Sequence, residues 1–187
     1  ITIEGTEGVG KSTNIAFIET QLKAAGKSVL VTREPGGTPL AEELRALLLK
    51  KRDENFDASA ELLTVFAARA QHLNTLIRPA LEKGVWVVCD RFTDATFAYQ
   101  GYGRGLPLDQ ICALETMVQR DLHPSVTFLL DIDVSLGLAR ARARAAGPRR
   151  GGPEPRARAR RDRRDHGCGV RRHCGRIERC RLRRGQW

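Results

Sequence analysis

The chain has 187 residues, which suits one ordinary domain and leaves little room for a second. Its formal net charge of +10 would suggest a nucleic-acid-binding protein, but residues 1–144 hold 17 Lys and Arg against 18 Asp and Glu. Residues 145–187 hold 15 Arg against 4 acidic residues, so the basic character belongs to that tail alone. No run of 18 apolar residues and no secretion signal occurs, and we expect neither a membrane span nor export.

A short strand is predicted first, at residues 1–4, and the absence of Met at Ile1 suggests that leading residues are missing. A helix is predicted over 12–25, because apolar residues recur there at spacings of three and four. Between them stands Gly-x-x-x-x-Gly-Lys-Ser, in the strand-to-helix context that identifies a phosphate loop. Backbone N–H groups of such a loop bind phosphate oxygens, its Lys reaches the outer phosphates, and its Ser hydroxyl ligates Mg²⁺. The predicted nucleotide site comprises Gly5, Thr6, Glu7, Gly8, Val9, Gly10, Lys11, Ser12 and Thr13.

Strands and helices continue to alternate along the chain. Strands are predicted at 28–32, 85–89 and 126–131, and helices at 40–49, 58–83 (with a bend near Pro79), 108–122 and 134–145. A Pro- and Gly-containing loop follows the second strand, and a Gly-rich loop covers 101–105. Because the strands are apolar throughout, we predict an α/β fold, a three-layer α/β/α domain with a parallel sheet, over residues 1–144.

Asp90 and Arg91 directly follow the apolar strand at 85–89, at the end where ligands bind in open α/β sheets. An acid there would reach the Mg²⁺ of the phosphate loop, so Ser12 and Asp90 are the candidate metal ligands. A GTPase would need a guanine-reading Lys-x-Asp segment after a later strand, and no Lys lies near 131–133. The remaining candidate is a small kinase that phosphorylates a small molecule.

Five sequence segments together are characteristic of one protein family. They are the phosphate loop with Glu7, Thr-Arg-Glu-Pro-Gly-Gly-Thr at 32–38, Phe-Ala-Ala-Arg-Ala-Gln at 66–71, Asp-Arg-Phe at 90–92, and Ala-Tyr-Gln-Gly at 98–101. In their order and spacing, residues 1–144 resemble the bacterial thymidylate kinases, which belong to the nucleoside-monophosphate kinases. The resemblance implies an enzyme that phosphorylates dTMP to dTDP with ATP and Mg²⁺ in nucleotide biosynthesis, in the cytoplasm and as a homodimer, without a membrane or designed nucleic-acid partner.

The resemblance also implies site residues. Glu7 would accept from the deoxyribose 3′-hydroxyl, Arg33 and Arg91 would hold the acceptor phosphate, and Phe66 would stack on thymine. The implied substrate site comprises Glu7, Arg33, Glu34, Pro35, Phe66, Arg69, Arg91, Thr96, Tyr99 and Gln100. The implied catalytic residues are Lys11, Asp90, Arg91 and Arg144. Without the resemblance, Phe66 could equally be an aromatic residue of the core, and Arg69 could be half of a surface ion pair. Arg45 is a weaker candidate for binding phosphate, because a solvated helix face explains it as well.

The resemblance stops near residue 145. Arg140, Arg142 and Arg144 match the start of an arginine-rich lid, but no apolar strand or amphipathic helix is recognisable afterwards. We hypothesise that residues 145–187 are a frameshifted or disordered tail. A zinc site at Cys168, Cys174, Cys180, His166 and His173 is disfavoured, because the five-residue gaps miss the usual ligand spacing. Two alternatives stay open: another nucleoside-monophosphate kinase, and a nucleotide-binding variant impaired by its C-terminus.

Overall fold

The computed structural model describes residues 1–145 and contains an open parallel sheet with helices on both faces. In chain order the elements are β1 (Thr2–Glu4), α1 (Lys11–Ala24), β2 (Val29–Arg33), α2 (Pro39–Leu49), α3 (Ala58–His72), a first π-helical segment (Leu73–Ile77), α4 (Arg78–Glu82), β3 (Trp86–Asp90), α5 (Thr93–Thr96), a second π-helical segment (Phe97–Gly103), α6 (Leu108–Gln119), β4 (Thr127–Leu129) and α7 (Val134–Ala145). The four strands lie in the order β2-β3-β1-β4, and every pair is parallel. The predicted fold class is confirmed.

The sheet is covered on both faces, as the apolar strands indicate. Val88 of β3 packs with Ile3 and Ile15 in the layer between the sheet and α1. Val87, the preceding residue, packs with Ile77 and Phe92 on the opposite face. Consecutive strand residues alternate between faces, so a run of apolar residues supplies two cores at once.

The long helix predicted over 58–83 is divided in the structure. It leaves α-helical geometry at Leu73–Ile77, before the bend expected near Pro79. Pro79 lacks an N–H, and its ring crowds the carbonyl four residues earlier, which lies within the wider π turn. The second π-helical segment occupies part of the region predicted as a Gly-rich loop, and the sequence pattern did not predict α5.

Within residues 1–145 no helix is long and apolar enough to cross a bilayer. Residues 146–187 lie outside the described part of the chain. The hypothesis of an aberrant tail, the zinc candidates and the question of a final strand and helix concern those residues. The side chain of Arg144 is likewise outside what the structure describes.

Candidate functional site

The carboxyl ends of three neighbouring strands form the floor of the candidate site. Asp90, the last residue of β3, is in register with Ile3 of β1 and with Arg33, the last residue of β2. The phosphate loop leaves β1 at this edge, and the segment Asp90–Arg91 leaves β3 beside it. In open parallel sheets this edge is where ligands bind, because adjacent strands release loops that diverge there.

A cavity of about 210 Å³ lies over the phosphate loop. Its lining comes from the loop, from Lys11 and Ser12 at the start of α1, from Asp90, and from Ala141 of α7. Backbone N–H groups at a helix N-terminus favour anions. The cavity therefore presents the chemistry of a phosphate site.

Lys11 supplies the positive charge of this cavity. Its Nζ donates to the carbonyl oxygens of Gly5 at 3.0 Å and of Thr6 at 3.2 Å, which holds the ammonium group over the loop. Partial burial, and then the nearby positive charge of Arg91, lower the pKa of Lys11. A half-buried cation next to a second cation favours an anionic ligand.

Ser12 and Asp90 fit a divalent cation. In residues 1–145 only two buried side-chain N or O atoms have no hydrogen-bond partner, and Asp90 Oδ1 is one of them. Ser12 is exposed and lines the same cavity. The described residues contain no cluster of three or more His, Cys, Asp or Glu suited to a metal. Mg²⁺ needs few protein ligands, because nucleotide phosphates and water complete its shell.

Three arginines, Arg33, Arg45 and Arg91, contribute positive charge near this sheet edge. Arg33 Nη2 donates to Glu42 Oε2 at 2.9 Å, and Arg45 Nη1 donates to the carbonyl oxygen of Pro35 at 2.8 Å. Burial, followed by the charges of Arg33 and Arg91, lowers the pKa of Arg45. Arg45 lies within electrostatic reach of both Arg33 and Arg91. Arg45 therefore belongs with Arg33 and Arg91, although its sequence position also fitted a solvated helix face.

The turn that carries Arg91 is held by Glu4. Arg91 has a backbone φ of 70°, a left-handed conformation that non-glycine residues rarely adopt. Its own N–H donates to the Ile3 carbonyl at 3.0 Å, and the next N–H, of Phe92, donates to Glu4 Oε1 at 2.7 Å. Burial raises the pKa of Glu4 to about 8, against the lowering effect of that hydrogen bond. Glu4 was not predicted to belong to the site.

A buried polar network joins Glu34, Arg69, His72 and Thr96. Arg69 is 2% exposed, so it is not half of a surface ion pair. Its Nε donates to Glu34 Oε2 at 2.7 Å and its Nη2 donates to Thr96 Oγ1 at 2.9 Å, while Nη1 is the other unpartnered buried atom of residues 1–145. His72, which is fully buried, lies 3.2 Å from the remaining oxygen of Glu34. Glu34 thus fixes Arg69 and leaves one of its donors free.

Phe66 is also deeply buried. It packs with Leu62 and Ile111 in a core cluster, and the Arg69 guanidinium carbon lies 4.8 Å from its ring centroid. Its 2% exposure agrees with the core explanation.

Tyr99 and Glu7 face a second cavity. Tyr99 is exposed, and the Arg91 guanidinium carbon lies 5.1 Å from its ring centroid. The second cavity, of about 240 Å³, is lined by Tyr99, by Thr6 and Glu7 of the phosphate loop, and by Val134 and Leu138 of α7. Glu7 lines both cavities.

Gln100 is bound to a residue that the sequence reasoning did not single out. Its Nε2 donates to Glu61 Oε1 at 2.7 Å, and Arg104 binds the other oxygen of the same carboxylate.

The sequence offered one usable signal for Glu4, an acidic residue at the end of a strand that leads into the phosphate loop. It offered no comparable signal for Glu61, which lies on the first turn of a helix where acids are common.

Comparisons with known proteins agree on one family. The family model for thymidylate kinase matches residues 3–154. The chain is 70% identical to a thymidylate kinase from Teredinibacter turnerae over 132 residues, which are 71% of this chain and 64% of that protein. It is 61% identical to one from Pseudomonas syringae pv. tomato, over 71% of this chain and 63% of that protein. The chain spans somewhat less than two thirds of the length of these curated relatives.

A solved structure gives the same result. The fold is similar to the crystal structure of thymidylate kinase from Ehrlichia chaffeensis, with a TM-score of 0.65 and 40% sequence identity. The match covers 75% of this chain and 80% of that one.

Proposed function

Because the chain belongs to the thymidylate kinase family, we propose that it transfers the γ-phosphoryl group of ATP to dTMP, forming ADP and dTDP. The observation that supports this most strongly is the presence of two positively charged regions at one sheet edge. Lys11 and the phosphate loop form one region, and the arginine cluster of Arg33, Arg45 and Arg91 forms the other. A donor phosphate and an acceptor phosphate could meet there.

The proposed acceptor site uses the residues implied by the resemblance. Arg33 and Arg91 hold the dTMP phosphate, and the nearby positive charge of Arg45 supports them. The 3′-hydroxyl of the sugar binds Glu7, and Tyr99 lies against the sugar. The unpartnered Nη1 of Arg69 donates to a thymine carbonyl, with Thr96 and Gln100 completing the base site. Pro35 shapes this region by accepting from Arg45.

The proposed mechanism needs no general base. The acceptor phosphate is largely a dianion near neutral pH, since its second pKa is about 6. Catalysis therefore consists of alignment and charge neutralisation, by Lys11 at the donor phosphates and by Arg91 at the acceptor. Ser12 and Asp90 would hold Mg²⁺, which would further neutralise the donor phosphates when bound. Arg144, at the end of α7, is proposed to act as a lid residue.

The test is an ADP-release assay on the full chain with dTMP, dUMP, AMP and CMP as acceptors. We expect dTMP to be preferred, and turnover to be lost in Lys11→Ala while the circular dichroism spectrum is unchanged. Lys23→Ala is the matched control, because Lys23 is exposed and pairs with Glu19 on the far part of α1. Preference for another acceptor would identify a different nucleoside-monophosphate kinase. Binding of dTMP without turnover would identify an impaired variant.

We also propose a homodimer formed through apolar helix faces. Leu40 and Leu47 of α2, Leu63 of α3 and Met117 of α6 are large apolar side chains that are 45% exposed or more. Burying such side chains between two copies is favourable. Sedimentation equilibrium would show a mass of twice 20.8 kDa if the proposal holds.

A further inference from the structure

Glu61 binds two side chains from the second π-helical segment and the residue that follows it. Its Oε1 accepts from Gln100 Nε2 at 2.7 Å, and its Oε2 accepts from Arg104 Nε at 3.1 Å and also from Arg104 Nη2. The three residues come from the start of α3 and from a segment about 40 positions later, so the contact is specific to the folded chain.

We propose that Glu61 is a positioning residue that fixes the Gln100 side-chain amide with its carbonyl oxygen toward the nucleobase, and so selects bases that carry N3–H beside a C4 carbonyl. The inference rests on the proposed function, because it assigns a cause to the base preference of that same site.

The orientation of the Gln100 amide follows from the chemistry of its partner. The two ends of an amide are nearly alike in shape, so their assignment depends on the hydrogen bonds around them. An ionised carboxylate has no proton to donate, and therefore only the NH₂ end of Gln100 can face Glu61. Partial burial raises the pKa of Glu61, but the hydrogen bonds from Arg104 and Gln100 outweigh it and lower the pKa below its usual value.

The opposite end of Gln100 is then an unused acceptor. The residue is 7% exposed, and among residues 1–145 its Oε1 is not one of the two buried side-chain atoms that lack a partner, so this oxygen keeps contact with solvent and can accept from a ligand. Thr96, four residues earlier, accepts from Arg69 Nη2, and the neighbouring Nη1 of Arg69 is an unused donor. One donor and one acceptor are thus available on the side chains that the base site brings together.

This pair has the polarity of thymine and uracil. Both bases present a C4 carbonyl acceptor next to an N3–H donor, whereas cytosine presents a C4 amino donor next to an N3 acceptor. A fixed Gln100 oxygen would face the N3 lone pair of cytosine, leaving two acceptors opposed. If the amide could rotate, its NH₂ end would donate to cytosine N3 and much of the discrimination would disappear.

Calorimetric titration of the full chain with dTMP, dUMP and dCMP tests the proposal. Glu61→Gln is the informative variant, because it keeps the size of the side chain but can both donate and accept, which frees Gln100 to rotate. We expect the ratio of dTMP to dCMP affinity to fall on the order of tenfold or more. Glu19→Gln, an equivalent change on the outer surface of α1, should leave the ratio unchanged. If both affinities fall equally in Glu61→Gln, Glu61 is merely structural and the proposal is wrong.

A measurement without ligand separates this inference from the proposed function. Nitrogen-15 NMR would follow solvent exchange of the Gln100 side-chain amide, assigned by its disappearance in Gln100→Met. We expect exchange at least tenfold slower than for the exposed Gln110, with the protection lost in Glu61→Ala. Exchange as fast as in Gln110 would overturn the fixed orientation. Failure to bind any of the three nucleotides would overturn the proposed function and this inference with it, whereas tight dTMP binding with an unchanged ratio in Glu61→Gln would overturn this inference alone.

Discussion

Gly8 of the phosphate loop lies so close to Gly137 of α7 that a methyl group on Gly8 would come within 2.2 Å of the Gly137 carbonyl oxygen. The reverse substitution is also crowded, because a methyl group on Gly137 would lie 2.9 Å from the Glu7 carbonyl oxygen. The first turn of α7 is fixed by Asp133, whose Oδ1 accepts from the Ser135 N–H at 3.0 Å. The start of α7 therefore rests on the phosphate loop and helps to set its shape.

Gly137→Ala should lower turnover strongly while leaving the domain folded. The added methyl group must push α7 or the loop aside, and a displacement of about an ångström in a phosphoryl-transfer site costs on the order of a hundredfold in rate. Steady-state turnover with ATP and dTMP, with thermal unfolding measured in parallel, would check this.

Gly8→Ala and Gly26→Ala form a matched pair that tests whether contact with α7 shapes the phosphate loop. Both glycines have a positive φ, 80° and 72°, so each alanine bears a similar backbone strain of about 1–2 kcal/mol. Gly26 has no atom within 4 Å of the added group, and its variant should keep full turnover. Equal turnover in the two variants would contradict the idea that contact with α7 shapes the loop.

The sequence predicts most of the fold and the donor side of the site, because the signals there are local. The phosphate loop is a contiguous motif. Asp90 is the last residue of an apolar strand and Arg91 follows it, and the end of such a strand must lie at the ligand-binding edge. The alternation of strands and helices determines the fold class without any long-range contact.

The remainder depends on contacts between distant parts of the chain. Glu4 and Phe92 are 88 positions apart, and Glu61 and Gln100 are 39 apart, so neither pairing leaves a spacing that can be read in one sequence. The π-helical segments depend on how the chain packs, and they interrupt patterns that otherwise predict helix or loop. Burial of Arg69 also required the fold, since an arginine near apolar residues fits a surface position equally well.

Phe66→Leu should weaken dTMP binding by about 1–3 kcal/mol, the range for stacking of a base on an aromatic ring, and should hardly change ATP binding. Leucine retains much of the apolar contact with Leu62 and Ile111, whereas Phe66→Ala would also lose about 3–5 kcal/mol of stability through the cavity it leaves. Calorimetry with each nucleotide would measure the effect.

Ile111→Val is the control for Phe66, since it loosens the same cluster by about 0.5–1.5 kcal/mol without changing the ring. It should leave dTMP affinity as it is. An unchanged affinity in Phe66→Leu would show that the ring is a core residue and that its stacking role is wrong.

Glu4 should make the domain less stable as the pH rises from about 4.5 to about 8. In this interval the folded protein keeps the proton on the buried carboxyl, whose pKa is raised to about 8 by burial, while the unfolded chain has released it. The free energy of unfolding therefore falls with pH by up to about 1.4 kcal/mol per pH unit from this group, and the loss is complete above pH 8. Glu4→Gln keeps an acceptor for the Phe92 N–H and removes the titration.

Urea unfolding of the wild-type protein and Glu4→Gln at pH 5, 7 and 9 would test this. The variant should gain stability relative to the wild type as the pH rises. Glu19→Gln, a change at a partly exposed carboxylate on α1, should show no such trend. Parallel pH dependence in the wild type and Glu4→Gln would mean that the Glu4 carboxyl titrates near its ordinary pKa.

The last prediction separates substrate binding from turnover. The proposed contacts to dTMP, from Glu7 through Arg33, Phe66 and Arg91 to Gln100, all lie before residue 145. The proposed lid arginines, Arg140, Arg142 and Arg144, lie directly before the segment that we hypothesise to be aberrant, residues 145–187. A guanidinium group that must reach the transferred phosphoryl group works only if its segment is held in place.

We therefore expect this chain to bind dTMP about as tightly as a chimera in which residues 145–187 are replaced by the corresponding segment of the Teredinibacter turnerae relative, and to turn over on the order of a hundredfold more slowly. Calorimetry with dTMP and a turnover assay on both proteins would measure the two quantities separately. If the two proteins turn over equally, residues 145–187 serve as a genuine lid and the frameshift hypothesis is wrong. If the chimera alone binds dTMP, the acceptor site depends on the C-terminal segment, and the assignment of that site to residues 1–144 must be given up.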